Sequence, residues 1–175
     1  MENYYDISIH QTNFIKPLLF TTVLFSGLVA GLLYAYSCSV NLGLKSLPDA
    51  AYLKAMQSIN AAIQNPLFFI SFMGLLLLYP VSCWRLFLLP AGSPAYLMLA
   101  ATVVYFILVL GTTIFGNVPL NEQLAKFDIS SASPDALAAM RNAFEQPWNN
   151  YHLVRTIAAI ISFGLAILSV MKHKS

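Results

Sequence analysis

The feature that most constrains this chain is a run of twenty-four residues, Pro17–Val40, without one charged side chain. A helix crossing the hydrocarbon core of a bilayer needs about 20 apolar residues, and this run supplies them. It is too long for the apolar core of a cleavable signal, so it reads as an uncleaved first span. Three further stretches have the same character. Pro66–Trp84 carries no charge and is closed by Arg85, which places a second span over about 66–89. The stretch between Arg85 and Glu122 is also charge-free but is broken early by Pro90-Ala91-Gly92-Ser93-Pro94. Ser93 followed by Pro94 is a good helix start, giving a third span over 94–117. The fourth covers 149–171 and ends at Lys172-His173-Lys174. Inside a membrane every backbone group must find its partner without water, and no barrel-like alternation is present. The expected fold is therefore all-α: one integral membrane four-helix bundle formed by residues 1–175.

Composition agrees, with 58% hydrophobic and only 9% charged residues, where soluble domains run near a quarter charged. A net charge of +2 without any basic run argues against a nucleic-acid partner. Cys38 and Cys83 form no CxxC, which argues against a redox dithiol or a thiolate metal site. They fall at opposite ends of their spans, beyond the ~7 Å reach of a disulfide.

Two longer connections lie on the same side of this arrangement. Ser46-Leu47-Pro48-Asp49 resembles a capping box, and Tyr52, Met56, Ile59 and Ile63 follow at helical spacing. In the second connection Ser133-Pro134-Asp135 opens a helix that sets Leu137, Met140, Phe144 and Trp148 on one face. Each reads as a short amphipathic helix over the bundle end. The tails and the short turn carry Lys16, Arg85, Lys172 and Lys174 with no nearby acid. The longer connections dilute Lys45, Lys54, Lys126 and Arg141 over more residues. By the positive-inside rule both termini are cytoplasmic, in a bacterial inner (plasma) membrane, with the two short helices extracytoplasmic.

On that topology the polar residues gather at the outer end. Tyr34, Ser37 and Asn41 close the first span, and Asn60 and Asn65 precede the second. Asn117 and Asn121 close the third, and Trp148, Asn149, His152, Arg155 and Thr156 begin the fourth. Sixteen residues separate Arg155 from Lys172, about 24 Å of helix against a core of about 30 Å, so Arg155 lies at the membrane boundary or slightly inside it. Two readings follow: a guanidinium snorkelling to the interface, or one facing the bundle toward an anion or amide carbonyls. Asn149, His152, Arg155 and Thr156 share one helical face, whereas Leu153, Ile157, Ile160 and Ile161 suit the lipid side. His152 is either a structural hydrogen-bonder or a base, since its charge changes near neutral pH. No second histidine sits at metal-ligand spacing, and His10 and His173 belong to the other side, so no metal is expected. Gly27, Gly31 and Ala35 form a small-residue ridge suited to close helix packing.

Gly116-Asn117-Val118-Pro119-Leu120-Asn121, followed across the next connection by Trp148-Asn149-Asn150-Tyr151-His152-Leu153-Val154-Arg155-Thr156, resembles the anthrone oxygenase-like family of small four-span membrane proteins. Gly31-Leu32-Leu33-Tyr34-Ala35-Tyr36-Ser37 is similar to its opening motif, and Gln57-Ser58-Ile59-Asn60 to its second. Where the family often has Val-Met-Pro-Gly-Leu, this chain reads Val40-Asn41-Leu42-Gly43-Leu44. The resemblance implies oxidation of a polyketide anthrone by dioxygen as co-substrate, with no cofactor. It also implies that Asn60, Asn117, Asn121, His152 and Arg155 line the site. His152 and Arg155 are then the catalytic candidates. Asn60, Asn117, Asn121, Asn149, Trp148, Tyr34 and Ser37 are the substrate-binding candidates, with a lipophilic small molecule and the bilayer as partners. Two other classes stay open: a non-enzymatic structural or assembly protein, possible as a homo-oligomer, and a small-molecule binding or transport protein. Against transport, the inner halves offer little beyond Ser, Thr and Tyr, and no repeat-related broken helices.

Overall fold

The computed structural model of the protein describes residues 2–89 and 92–173, with side chains described over 14–89 and 92–173. Among these residues all regular structure is helical, and four helices are long and apolar enough to cross a membrane: Phe14–Lys45, Pro66–Phe87, Gly92–Ala125 and Pro134–Lys172. Large apolar side chains cover their outward faces. Leu67 and Phe115 are more than four-fifths exposed, and Leu153, Ile157, Ile160 and Ile161 face outward as expected. Such a surface is stable only against hydrocarbon, so the chain is an integral membrane protein.

Local chemistry sets the helix ends. Asn65 Oδ1 accepts the amide of Phe68 at 3.1 Å, with Pro66 in the first turn of the second span. Ser133 Oγ caps Ala136 N at 3.3 Å, with Pro134 and Asp135 behind it. The third span opens two residues earlier than the expected start at Pro94, at Gly92, whose φ of +24° is unfavourable for a residue with a Cβ. Pro90, Ala91, Lys174 and the side chain of His10 lie outside the described residues.

The first and third spans each pack beside the second and the fourth. One chain of hydroxyls crosses all four at mid-depth. Ser162 Oγ donates to the Ala101 carbonyl at 2.8 Å, which uses its only proton, so Tyr79 donates to Ser162 at 2.7 Å and Ser26 donates to Tyr79 at 2.7 Å. Every hydroxyl is satisfied, and the route Ser26, Tyr79, Ser162, Ala101 visits the first, second, fourth and third spans. Around it Leu75, Met98, Ala101, Val109 and Ala166 are fully buried.

Four expectations need correction. The second amphipathic segment is no separate helix: it is the start of the fourth span, which runs unbroken through Pro147 for 39 residues. At about 1.5 Å per residue that is about 58 Å, nearly twice a bilayer core. It projects instead of lying down because its apolar stripe finds cover alongside. Phe144 and Trp148 bury with Leu124, which ends the third span, and with Tyr52, Leu53 and Met56 of the helix Asp49–Ala62. The third span likewise continues to Ala125 past its expected end, with Pro119 in the first turn after a π-helical segment, Thr113–Asn117. The capping box at Ser46 does not form: its hydroxyl turns back to the Gly43 carbonyl at 2.8 Å, and Asp49–Ala62 starts after Pro48 without a side-chain cap. The small-residue ridge packs only at Gly27, where a Cβ would come within 3.1 Å of the Phe163 ring. Gly31 has nothing within 4 Å, and Ala35 is exposed. The inward face of this span is instead Thr22, Ser26, Val29 and Leu33.

Arg141, on the projecting part of the fourth span, ties down the turn between the first span and Asp49–Ala62. Its guanidinium donates to the carbonyls of Leu47 (2.6 Å) and Lys45 (3.0 Å), to Asp49 (3.0 Å) and to Glu145 (2.7 Å), and lies 4.4 Å from the Tyr52 ring centroid.

Candidate functional site

Along the fourth span Trp148 precedes His152 by four residues, and Arg155 and Thr156 follow His152 by three and four, so all share its face. The first span meets them through a π-helical segment, Tyr36–Val40, and the third through Thr113–Asn117. A π turn shifts the side-chain register by one position, and such turns gather at functional sites. Tyr36, Ser37, Thr113 and Asn117, which lie on these segments, turn toward the fourth span.

His152 is the centre of the cluster and is 1% exposed. Its Nε2 lies 2.9 Å from Ser37 Oγ and 3.5 Å from Thr156 Oγ1. Its Nδ1 receives Arg155 Nε at 3.3 Å and Arg155 Nη2 at 3.1 Å. Arginine has donors only, so Nδ1 must present a bare lone pair, and in the neutral imidazole the proton therefore sits on Nε2. Nε2–H donates to Ser37, whose own hydroxyl donates to the Leu33 carbonyl at 3.1 Å, and Thr156 donates to the His152 carbonyl at 2.7 Å. The geometry is that of a neutral histidine fixed in one tautomer.

Aromatic rings wall this pair. The Trp148 ring stacks on His152 at 5.0 Å and 13°, and Tyr36 meets both rings, His152 edge-on at 5.1 Å and Trp148 at 5.4 Å. The Arg155 guanidinium carbon lies 5.3 Å from the Trp148 centroid, and its Nη1 reaches Thr113 Oγ1 at 3.5 Å. Of the two earlier readings of Arg155, the bundle-facing one holds. Among the described residues the ion pairs belong to Arg141, and no carboxylate pairs with Arg155.

A second hydrogen-bonded group joins the first at Trp148. Asn117, 1% exposed, donates Nδ2 to the Trp148 carbonyl at 3.1 Å, and Trp148 Nε1 donates to Asn121 Oδ1 at 2.8 Å. Asn117 Oδ1 is buried with no donor, as is Asn149 Oδ1, and Asn60 Nδ2 is buried with no acceptor. Gln57, in the same sequence motif as Asn60, clamps the carbonyls of Leu124 and Phe127 at 2.9 and 3.0 Å and fixes Asp49–Ala62 over the cluster.

Of the residues singled out from sequence, the structure brings together Ser37, Asn117, Asn121, Trp148, His152 and Arg155. Asn60 and Asn149 form no hydrogen bond with them, and Tyr34 points outward at 57% exposure. Tyr36 occupies the inward position, its hydroxyl donating to Met56 Sδ at 3.2 Å. Tyr36 and Thr113 were missed. Counting from Ser26 through Val29 and Leu33 leads to Tyr36 and would have found it.

Fold and cluster together define a class: a four-span membrane protein carrying a neutral histidine and an acid-free arginine at one end. The family model described as anthrone oxygenase matches residues 54–165, and the chain belongs to that family. The match takes in Asn60, Asn117, Asn121, Trp148, His152 and Arg155, while Tyr36 and Ser37 lie outside it. No curated protein and no solved structure matches the chain.

Proposed function

We propose that the protein is a membrane-embedded, cofactor-independent oxygenase acting on a lipophilic, phenolic, anthrone-like aromatic with dioxygen. The observation that carries this reading is the Ser37–His152–Arg155 array: an oriented neutral imidazole beside a guanidinium that no acid among the described residues neutralises, walled by Trp148 and Tyr36. An anthrone loses a ring-methylene proton to give an electron-rich oxyanion that can itself reduce dioxygen. His152 Nδ1 is the base, Arg155 stabilises the oxyanion, and the aromatic walls hold the planar substrate away from water. The methylene becomes a carbonyl with one oxygen atom, and its two hydrogens leave with the other as water, so the equation balances without a reductant. The substrate enters from the bilayer at the end that carries the cluster.

Family membership supports the chemistry, and the satisfied Tyr79 hydroxyl chain filling mid-depth speaks against a polar transport path. The test is turnover in lipid nanodiscs. Protein supplied with an anthrone should consume dioxygen and form quinone one-to-one, above the spontaneous rate. His152→Ala should lower the enzymatic rate by about 10²–10⁴-fold, the usual weight of a general base, with the protein still folded. A folded variant at full rate removes His152 from the chemistry and returns the cluster to a structural role.

A further inference from the structure

The two groups this reading requires hold each other in check. The lone pair on His152 Nδ1, the base, is covered by the guanidinium of Arg155, the oxyanion donor. A neutral imidazole leaves the charge of its cationic partner uncancelled, whereas a carboxylate brings the opposite charge and can take the guanidinium fork with two parallel bonds. Arg155 has five N–H donors, and apart from Nδ1 its contacts are the 3.5 Å approach to Thr113 and the face of the Trp148 ring, neither of which carries a negative charge. Its charge is thus uncompensated in a half-buried setting. A second group nearby is also incomplete. The Asn117 amide is oriented by its Nδ2 bond to the Trp148 carbonyl, which leaves Oδ1 buried and facing no donor.

We propose that Arg155 is a displaceable mask on His152, and that the ligand which lifts it is an organic anion with an ionised oxygen, a phenolate or a carboxylate. The anionic oxygen takes the guanidinium, with bidentate geometry open to a carboxylate, and Arg155 leaves Nδ1. Ser37 is the positioning residue. By accepting Nε2–H it keeps the proton off Nδ1, so the nitrogen uncovered is the bare one, ready to accept a proton from the bound molecule. The base becomes available once an ionised oxygen has arrived, which on the natural substrate is a phenolate of its own ring, and the site disfavours aromatics that carry no acidic group. This deepens the oxygenase reading and rests on it for the identity of the natural ligand. The masking itself is measured without turnover.

The experiment uses the full chain, 15N-labelled at histidine, in phosphatidylcholine nanodiscs, with benzoate as the probe. The resting His152 signals should be those of the Nε2–H tautomer with a hydrogen-bonded Nδ1. Benzoate should move Nδ1 toward the value of a free lone pair, and benzamide should not. Arg155→Met should start at the free value and ignore benzoate. Arg155→Lys, which keeps charge and loses the fork, should respond at roughly tenfold higher benzoate. With benzoate bound and Arg155 displaced, Ser37→Ala should give a mixture of tautomers, and Ser37→Thr should restore the single one. An equal shift produced by adding phosphatidylglycerol alone shows that a phosphodiester lifts the mask and overturns the assignment to a phenolate or carboxylate. A resting Nδ1–H tautomer, or a benzoate response unchanged in Arg155→Met, overturns the proposal. If the shifts appear and no anthrone is oxidised, the oxygenase reading fails and the mask stands. If anthrone turns over and the shifts are absent, the reverse holds.

Discussion

Gly116 has a role set by distance. A Cβ there would come within 2.6–2.8 Å of the Tyr151 ring, closer than carbon atoms pack. Tyr151 follows Trp148 by three residues and Asn117 follows Gly116, so this contact sets the spacing between the third and fourth spans where the cluster forms. Gly116→Ala should cost about 1–3 kcal/mol by overpacking and loosen the bond from Asn117 to Trp148. Pairing it with Tyr151→Ala should recover most of the loss in an unfolding titration in mixed micelles. A second residue-scale expectation concerns pH. The Ser130 and Ser131 hydroxyls donate to Asp128 at 2.6 and 2.7 Å and hold its carboxyl down to about 2 from the ordinary 3.8. A carboxyl depressed in the fold stabilises it above the unfolded value and stops doing so as pH falls through the folded one. The order of the 128–131 turn should therefore persist at pH 5 and be lost between about pH 4 and pH 2, read as faster exchange of the Ser130 amide once corrected for intrinsic rates. At this scale the sequence was legible where one residue type implies one environment. Arg155 and His152 could not be left facing hydrocarbon. It was misleading where register decided. Tyr34 and Tyr36 look alike, and only the helical count from the buried Ser26, Val29 and Leu33 separates the one that meets His152 from the one that points outward.

Among the elements, the spans were readable because a charge-free stretch of that length has few other homes. Their extensions were not. Pro147 looks like a boundary, since proline removes the N–H that would bond the Ala143 carbonyl. The helix nevertheless continues, because Phe144 before it and Trp148 after it pack into one apolar cluster with Tyr52, Leu53 and Met56. The same lateral cover explains why an amphipathic stripe, correctly read, belonged to a projecting helix and not to a lid. What holds Asp49–Ala62 in place is Gln57 on one side and the Arg141 clamp on the other. Arg141→Ala should release the turn at 46–48 and cost about 2 kcal/mol, below the 3–5 kcal/mol of a fully buried pair because Asp49 and Glu145 stay partly exposed. The expected signature is faster amide exchange confined to 46–62, by about thirtyfold for that energy. Exchange that rises equally in all four spans would show that the clamp serves the whole bundle.

For the molecule as a whole, the open quantity is direction across the membrane. From the basic residues beside the span ends we propose both termini in the cytoplasm and the His152 cluster outside. Location reporters fused at Ser131 and at Gly92 should then give opposite signals, with the Gly92 fusion cytoplasmic. Matching signals from the two positions would contradict four spans, and reversed signals would put the cluster on the cytoplasmic side. The fourth span also has a place in time. It contributes Trp148, His152 and Arg155 to the cluster and Ser162 to the hydroxyl chain that crosses the bundle. A ribosome makes it after the other three, so for that interval Tyr79 lacks Ser162 as a partner and Ser37 has no imidazole beside it. Three inserted helices form a waiting intermediate with unmatched polar groups at two depths, and the last helix matches both as it enters. A nascent chain stalled before Pro134 is therefore the species that membrane quality control has the clearest chemical reason to recognise.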